Sequence, residues 1–321
     1  MGNHRIIQWK MNDVNGQVVA GGNGQGNRLD QLNEPTDVII DKEMDSFIIC
    51  DQRNRRIVRW FRRNDTTEGE VLIDNIRCWG LAMDDQRYLY TCNFEQHEVR
   101  RYQIEDKNET IVAGGNGQGG GLNQLNWPSY VFVDQQQSVY VSDRNNHRVM
   151  KWNNGAKEGI IVAGGQGEGA ALTQLNWPKG LFVDTLDTVY VADDKNNRVM
   201  RWPKGATQGT VIMGGNGVGE GANQFKGPQG SLSYTNANIE QERYCDAVVE
   251  FTSRKILFFI GRLEQFQNYC FLSFEFHAVS QIKAERIRAF QYHDCSNVCH
   301  EKCRPIASYK PEKRIGGLSD S

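Results

Sequence analysis

A module of about fifty residues recurs along this chain, and it restricts the fold more than any other feature. NNHRVMKW begins at Asn145 and NNRVMRW at Asn196, and their tryptophans, Trp152 and Trp202, stand 50 residues apart. AGG at Ala163 and MGG at Met213 are again 50 apart, while LNWP ends at Pro128 and Pro178 and QFKGP at Pro228. Asp134 and Asp184 close the runs VFVD and LFVD, and their counterparts are Asp84 in LAMD and Asp41 in VIID, giving steps of 43, 50 and 50. Four full units follow half a unit that opens with Asn3-His4-Arg5, and the start of another unit lies at Pro228. The first full unit is short. It carries VLIDNIRCWG from Val71 where the others have a Gly-rich stretch.

Within the third unit the apolar alternation comes in bursts: YVFVD from Tyr130, SVYVSD from Ser138, HRVMKW from His147 and GIIVAGG from Gly159. Each is rich in β-branched and aromatic residues and bounded by Asp, Asn or Gly, so each predicts a strand. No segment sustains a helical period. Four strands per repeat predict an all-β chain, a β-propeller of four-stranded blades. One blade cannot bury both of its faces, so neighbouring blades must cover them. The recurrent Trp9, Trp60, Trp152 and Trp202, with Tyr102 in the remaining unit, are expected to pack between blades.

The strings SDRNNHRVMKW from Ser142, ADDKNNRVMRW from Ala192, CDQRNRRIVRW from Cys50 and NHRIIQW from Asn3 resemble the NHL-repeat family over residues 1–230. CNFEQHEVRRY from Cys92 departs, with Asn93 for Asp and Glu98 for Arg. The resemblance implies a propeller, commonly of six blades, acting as a binding module. The contexts it implies are the substrate-recognition end of a tripartite-motif ubiquitin ligase, RNA binding, or an enzyme of the amidating-lyase or lactonase type. This sequence has no RING cysteine pattern, so ligase chemistry would need another polypeptide.

Asp51, Asp143 and Asp193 are expected to form turns through their own backbone. The Gly-rich strings at Gly21, Gly114, Gly164 and Gly214 lack the following helix of a dinucleotide loop and the Gly-Lys-Ser/Thr of a phosphate loop. They read as blade connections that need positive φ. His4, His97 and His147 hold equivalent repeat positions, which suits a structural role better than a converging zinc site. Arg53, Arg55, Arg56, Arg59, Arg62 and Arg63 form a basic cluster with acidic flanks and read as a solvated blade edge. The net charge of −2 is unlike a generally basic nucleic-acid binder.

If strands run outward in order a to d, the Asn-His-Arg turns (b–c) and the Gly-rich connections (d–a) share one face. Loops on a rigid scaffold are where binding concentrates. The expected partner face comprises Arg55, Arg56, His97, Asn146, His147, Arg148, Asn197 and Arg198. The expected function is a non-enzymatic scaffold for a protein partner, RNA being the alternative, with no catalytic residue, cofactor, metal or small-molecule substrate assigned.

The repeat frame ends near residue 230. All seven Trp precede it, and after it only Gly261, Gly316 and Gly317 remain of 33 Gly. Residues 231–321 form an atypical tail with apolar bursts AVVEF from Ala247, KILFFIG from Lys255 and FLSFEF from Phe271. Two readings stand: these bursts complete the amino-terminal half blade and close a ring of five, or the tail is foreign to the repeat. Cys295, Cys299 and Cys303 with His293 and His300 look metal-like, but their gaps differ from those of zinc knuckles. The cysteines before residue 231 are expected to be free and buried. Asn64-Asp65-Thr66 and Asn108-Glu109-Thr110 are sequons, relevant only in a secreted chain. The start, MGNHRIIQWK, has no apolar signal-like stretch and lies inside a repeat, and no run is long enough for a membrane helix, so the compartment stays open, with the cytoplasm as the default expectation.

Overall fold

The computed structural model describes residues 3–8, 15–63, 66–104, 108–219, 223–230, 260–266 and 269–275. The half blade contributes β1 (Arg5–Gln8) and β2 (Gln17–Gly21). Blade 1 is β3 (Pro35–Asp41), β4 (Ser46–Asp51), β5 (Arg56–Phe61) and β6 (Glu70–Ile73). Blade 2 is β7 (Cys78–Met83), β8 (Tyr88–Asn93), β9 (Glu98–Gln103) and β10 (Asn108–Gly114). Blade 3 is β11 (Pro128–Val133), β12 (Val139–Asp143), β13 (Arg148–Trp152) and β14 (Ile160–Gly164). Blade 4 is β15 (Pro178–Val183), β16 (Val189–Asp193), β17 (Arg198–Trp202) and β18 (Thr210–Gly214).

Each blade is an antiparallel sheet in chain order, and the first strands β3, β7, β11 and β15 lie side by side along the inner edges. This is a β-propeller arrangement, as the repeat predicts. The short loops force it. An Asp at the end of each inner strand of blades 2 to 4 folds the chain back: Asp84, Asp134 and Asp184 each accept two backbone N–H groups from the following turn. At the other end, three-residue 3₁₀ turns join β4 to β5, β12 to β13 and β16 to β17, closing on left-handed Arg55, His147 and Asn197.

The core consists of four apolar clusters, and each one spans two neighbouring blades. Ile6 and Ala20 of the half blade meet Val38, Ile49, Val58 and Trp60 of blade 1. Ile39, Ile48 and Ile57 meet Leu81, Leu89 and Tyr102 of blade 2. Tyr90 and Val99 meet Val141, Met150 and Trp152 of blade 3. Tyr130, Tyr140 and Val149 meet Val191, Met200 and Trp202 of blade 4. Trp60, Trp152 and Trp202 thus bridge blades as expected, each burial stabilising by about 2–3 kcal/mol, whereas Trp9 lies outside the described residues. The indoles lie across the outer strand's first turn so closely that a Cβ at Gly159 or Gly209 would approach the ring to 2.8 or 2.7 Å.

The junction between blades 1 and 2 is built differently. Its connection, from Ile73 to Cys78, is short, and Cys50 of β4 is disulfide-bonded to Cys78 of β7 with Cα atoms 5.9 Å apart. This corrects the expectation of free cysteines there. The two lie in different units, and only blade stacking brings them together. Cys92 is free and buried, as expected. Asp37 of β3 adds a second tie, accepting the N–H of Leu81 in β7 at 2.8 Å and that of Val38 at 3.0 Å. It is fully buried, and burial pushes its carboxyl up to about 7 against the pull of those two N–H donors.

In the tail, β19 (Ile260–Phe266) and β20 (Tyr269–Glu275) pair with each other, and no described strand pairs with β1 except β2. The expected completion of the half blade by these bursts is therefore not formed among the described residues. Ala247–Phe251 and the cysteines from 295 onward lie outside them.

The disulfide closes a segment of sequence separation 28. Chain entropy alone assigns such a link about 3–4 kcal/mol. Replacing Cys50 and Cys78 together with Ala is expected to lower unfolding free energy by about that amount, measured by urea titration. A loss below about 1 kcal/mol would contradict a structural role for the link.

Candidate functional site

The Gly-rich connections expose rows of backbone carbonyls that no strand satisfies, so each needs donors from elsewhere. An Asp–Asn–Arg set supplies them. In blade 3, Asp143 accepts the N–H of Asn126 at 2.7 Å, Asn146 Nδ2 at 2.7 Å and Arg148 Nε at 2.7 Å. The other Arg148 nitrogens donate to the carbonyls of Gly120, Gly121 and Gln124, and Asn146 donates also to Gly119. Blade 4 repeats this with Asp193, Asn196 and Arg198 on the carbonyls of Gly169, Ala170, Ala171 and Gln174. Blade 1 repeats it with Asp51, Asn54 and Arg56. Burial raises the Asp143 carboxyl pKa, opposed by Asn146, the Asn126 N–H and Arg148. The guanidinium fork suits this task because it offers five donors in one plane.

Two sequence expectations change here. Arg56, Arg148 and Arg198 are only 7, 4 and 5% exposed, with their donors committed to the loops, so they are not presented to a partner. Asn146 is engaged in the same clamp. Asp51, Asp143 and Asp193 organise their turns by gathering donors from the loop and from Arg, with no cap bond to their own turn. The inferred geometry stands: the clamp itself proves that b–c turns and Gly-rich connections share a face. The glycine strings carry the positive φ expected of them, as at Gly164, Gly165 and Gly167.

The histidines have a defined part. Nδ1 of His4, His97 and His147 accepts the N–H of Glu34, Trp127 and Trp177, respectively, where the next blade begins. In blade 4, Asn197 Oδ1 replaces the imidazole and accepts the N–H of Gly227 at 2.9 Å. An accepting Nδ1 requires neutral imidazole, and burial lowers the pKa of His97 and His147. Arg55 also stays partly at the surface, hydrogen-bonded to Asn75 and paired with Glu95 at 3.2 Å.

Within this regular framework three positions change from blade to blade. The residue before the inner strand is Glu34, Arg77, Trp127 or Trp177; the second residue of that strand is Thr36, Trp79, Ser129 or Lys179; the first residue after strand b is Gln52, Phe94, Arg144 or Asp194. All three sit at the inner end of the loop-bearing face. In blades 2 to 4 they form an aromatic and cationic band. Trp79 meets Phe94 edge-on at 5.7 Å, and Phe94 meets Trp127 at 5.2 Å. Arg144 lies between Trp79, 5.9 Å away, and Trp177, 3.9 Å away, and Lys195 covers Trp177 at 4.6 Å. Arg144 Nε is buried without a hydrogen-bond partner among the described residues. Lys179 is buried against Asp194 at 3.2 Å. Trp127 is 38% exposed, large for an indole on a folded surface. Sequence reasoning used Trp127 and Trp177 only as repeat landmarks. For Trp79, Phe94 and Arg144 the signal is disagreement between otherwise matching units, whereas Trp127 and Trp177 recur at one position of LNWP and stand out as a Trp next to the inner strand.

Among the described residues no group of three or more His, Cys, Asp or Glu is placed to hold a metal ion, and no helix is long and apolar enough to cross a membrane.

No family model and no curated protein matches the chain. Solved structures do. A protein of unknown function from Bacteroides thetaiotaomicron is 14% identical over 70% of this chain and 58% of its own, with a TM-score of 0.54. A chain of a nidogen/laminin complex is 16% identical over 64% of this chain and 70% of its own, with a TM-score of 0.51. A gluconolactonase from Xanthomonas campestris is 17% identical over 59% of this chain and 69% of its own, with a TM-score of 0.46. The chain thus spans between 58% and 70% of the length of these three proteins. At such identities the likeness carries the fold alone, a β-propeller.

Two substitutions test the framework. Arg148→Ala strands the buried Asp143 carboxylate and should cost about 3–5 kcal/mol, with faster amide exchange confined to residues 114–126. His97→Asn keeps the acceptor, as Asn197 does, but cannot titrate. A lowered folded pKa means that protons favour the unfolded chain, so the histidine's contribution is intact above its unfolded value near 6.5 and is lost as pH falls through the lower folded value. The Asn variant should match the parent protein at pH 7.5 and lose less stability than it does by pH 5. Equal losses would remove the acid-sensitive role of His97.

Proposed function

We propose that the protein is a non-enzymatic binding module, an NHL-type propeller whose loop-bearing face holds an acidic segment of a protein partner. The observation behind this is Arg144. Its guanidinium is sandwiched by two indoles, yet its buried Nε has no acceptor among the described residues. Burial lowers the Arg144 pKa, opposed by the charge of nearby Asp194. A carboxylate seated there gains bidentate donors and neighbouring Lys195, while Trp79 and Trp127 provide apolar contact. Trp and Arg at the centre of a patch are the residue types that carry most binding energy in protein interfaces.

Aromatic and cationic side chains also stack on single-stranded RNA, so the test separates the two. A photo-crosslinking side chain at Trp127 should capture a protein in a nuclease-resistant product, while the same probe at Gln136, on the opposite face, should not. With the captured partner, Trp127→Ala and Arg144→Gln should each weaken binding about 30-fold, the equivalent of about 2 kcal/mol. Capture of RNA, or equal capture from both faces, would overturn the reading.

A further inference from the structure

We infer that Asn108 is an acceptor for N-linked glycan and that the chain matures in the oxidising compartment where such glycans are added. Two independent observations meet here. The first is the sequon Asn108-Glu109-Thr110, which opens β10, the outermost strand of blade 2. All three residues are exposed. Asn108 pairs with Gln103 at the far end of the β9–β10 ladder from Gly114, which pairs with Glu98 beside the loop-bearing face. A bulky sugar at this position clears the inter-blade apolar clusters and the aromatic band, and it shields the unpaired edge of an outer strand.

The second observation is the Cys50–Cys78 disulfide, which ties blade 1 to blade 2. Disulfides of this structural kind persist in the secretory lumen and outside cells, and reducing compartments disfavour them. Forming it removes two protons and two electrons from the two thiols and passes them to a disulfide-bearing oxidoreductase of that lumen. Glycan addition there joins Asn108 Nδ2 to the anomeric carbon of a lipid-pyrophosphate-borne oligosaccharide. The anomeric C–O bond breaks, the lipid pyrophosphate leaves, and Nδ2 loses one proton. The same compartment supplies both reactions, so each observation supports the other. Neither depends on the binding reading above.

The natural protein, isolated from its own cells, provides the test. Peptide amidase digestion in ¹⁸O-water should convert Asn108 to labelled Asp, and non-reducing digestion should yield a peptide cross-linked through Cys50 and Cys78. Unmodified Asn108, or free thiols at both cysteines, would overturn the inference. In the full chain secreted by cultured eukaryotic cells with Asn64→Gln already present, an amidase-sensitive gel shift should persist with Thr110→Ser and vanish with Thr110→Ala. A shift that survives Thr110→Ala would place the glycan elsewhere and refute the assignment.

Discussion

The buried carboxylate–guanidinium pair beneath three of the Gly-rich connections is the contact on which the repeat depends. A blade alone leaves two apolar faces in water, and stacking covers them only if the chain can step from the outer edge of one blade to the inner edge of the next. That step is a loop of glycines with few side chains to satisfy its carbonyls. The Arg148 fork closes on three of them while its Nε holds Asp143, which in turn fixes the Asn126 N–H. The interaction is worth less as an ion pair than as a donor set, because desolvating both charges offsets much of their attraction. Its effect is to make loop, turn and sheet a single cooperative unit.

Blade 2 shows the same logic by departing from it. VLIDNIRCWG leaves no long loop to clamp, and in that unit the Asp and Arg of the clamp are Asn93 and Glu98. Glu98 turns instead to Arg100 in its own strand. The two departures, read separately in the sequence, have one cause. The junction they leave is secured by the disulfide and by Asp37, neither of which recurs in the other blades.

The strands, their order and the inter-blade aromatics were legible because they follow from local rules: period-two burial, Asx at turns, and one aromatic per unit. Trp152 and Trp202 could be placed between blades without coordinates. The fate of Arg148 could not, because residue type does not say whether five donors face water or a loop 24 to 28 positions earlier. Cys50 and Cys78 were equally opaque. Their proximity depends on strand b of one blade facing strand a of the next, a relation that no spacing rule contains. The aromatic band was hidden for the opposite reason. Trp79, Phe94 and Arg144 occupy positions where the repeat disagrees with itself, and a search for similarity passes over them, while Trp127 and Trp177 were noticed only as landmarks of the period.

That disagreement separates scaffold from function. Positions that clamp a Gly-rich connection share one task, so Asp, Asn and Arg recur with equivalent partners in blades 1, 3 and 4. Positions free of that task are at liberty to differ, and around the inner end of this face they become Trp79, Phe94 and Arg144, beside the Trp127 and Trp177 that blades 3 and 4 share. The choice is chemically directional. The exposed Trp127 indole costs solubility, and a half-buried guanidinium whose Nε has no acceptor among the described residues costs desolvation, so both are destabilising for the isolated chain. On the binding reading proposed above, an acidic partner would remove both penalties at once. The disulfide adds a constraint of another kind. The second junction relies on an oxidised pair, a link that a reducing environment disfavours, so the stability of the stack depends on redox conditions as well as on packing.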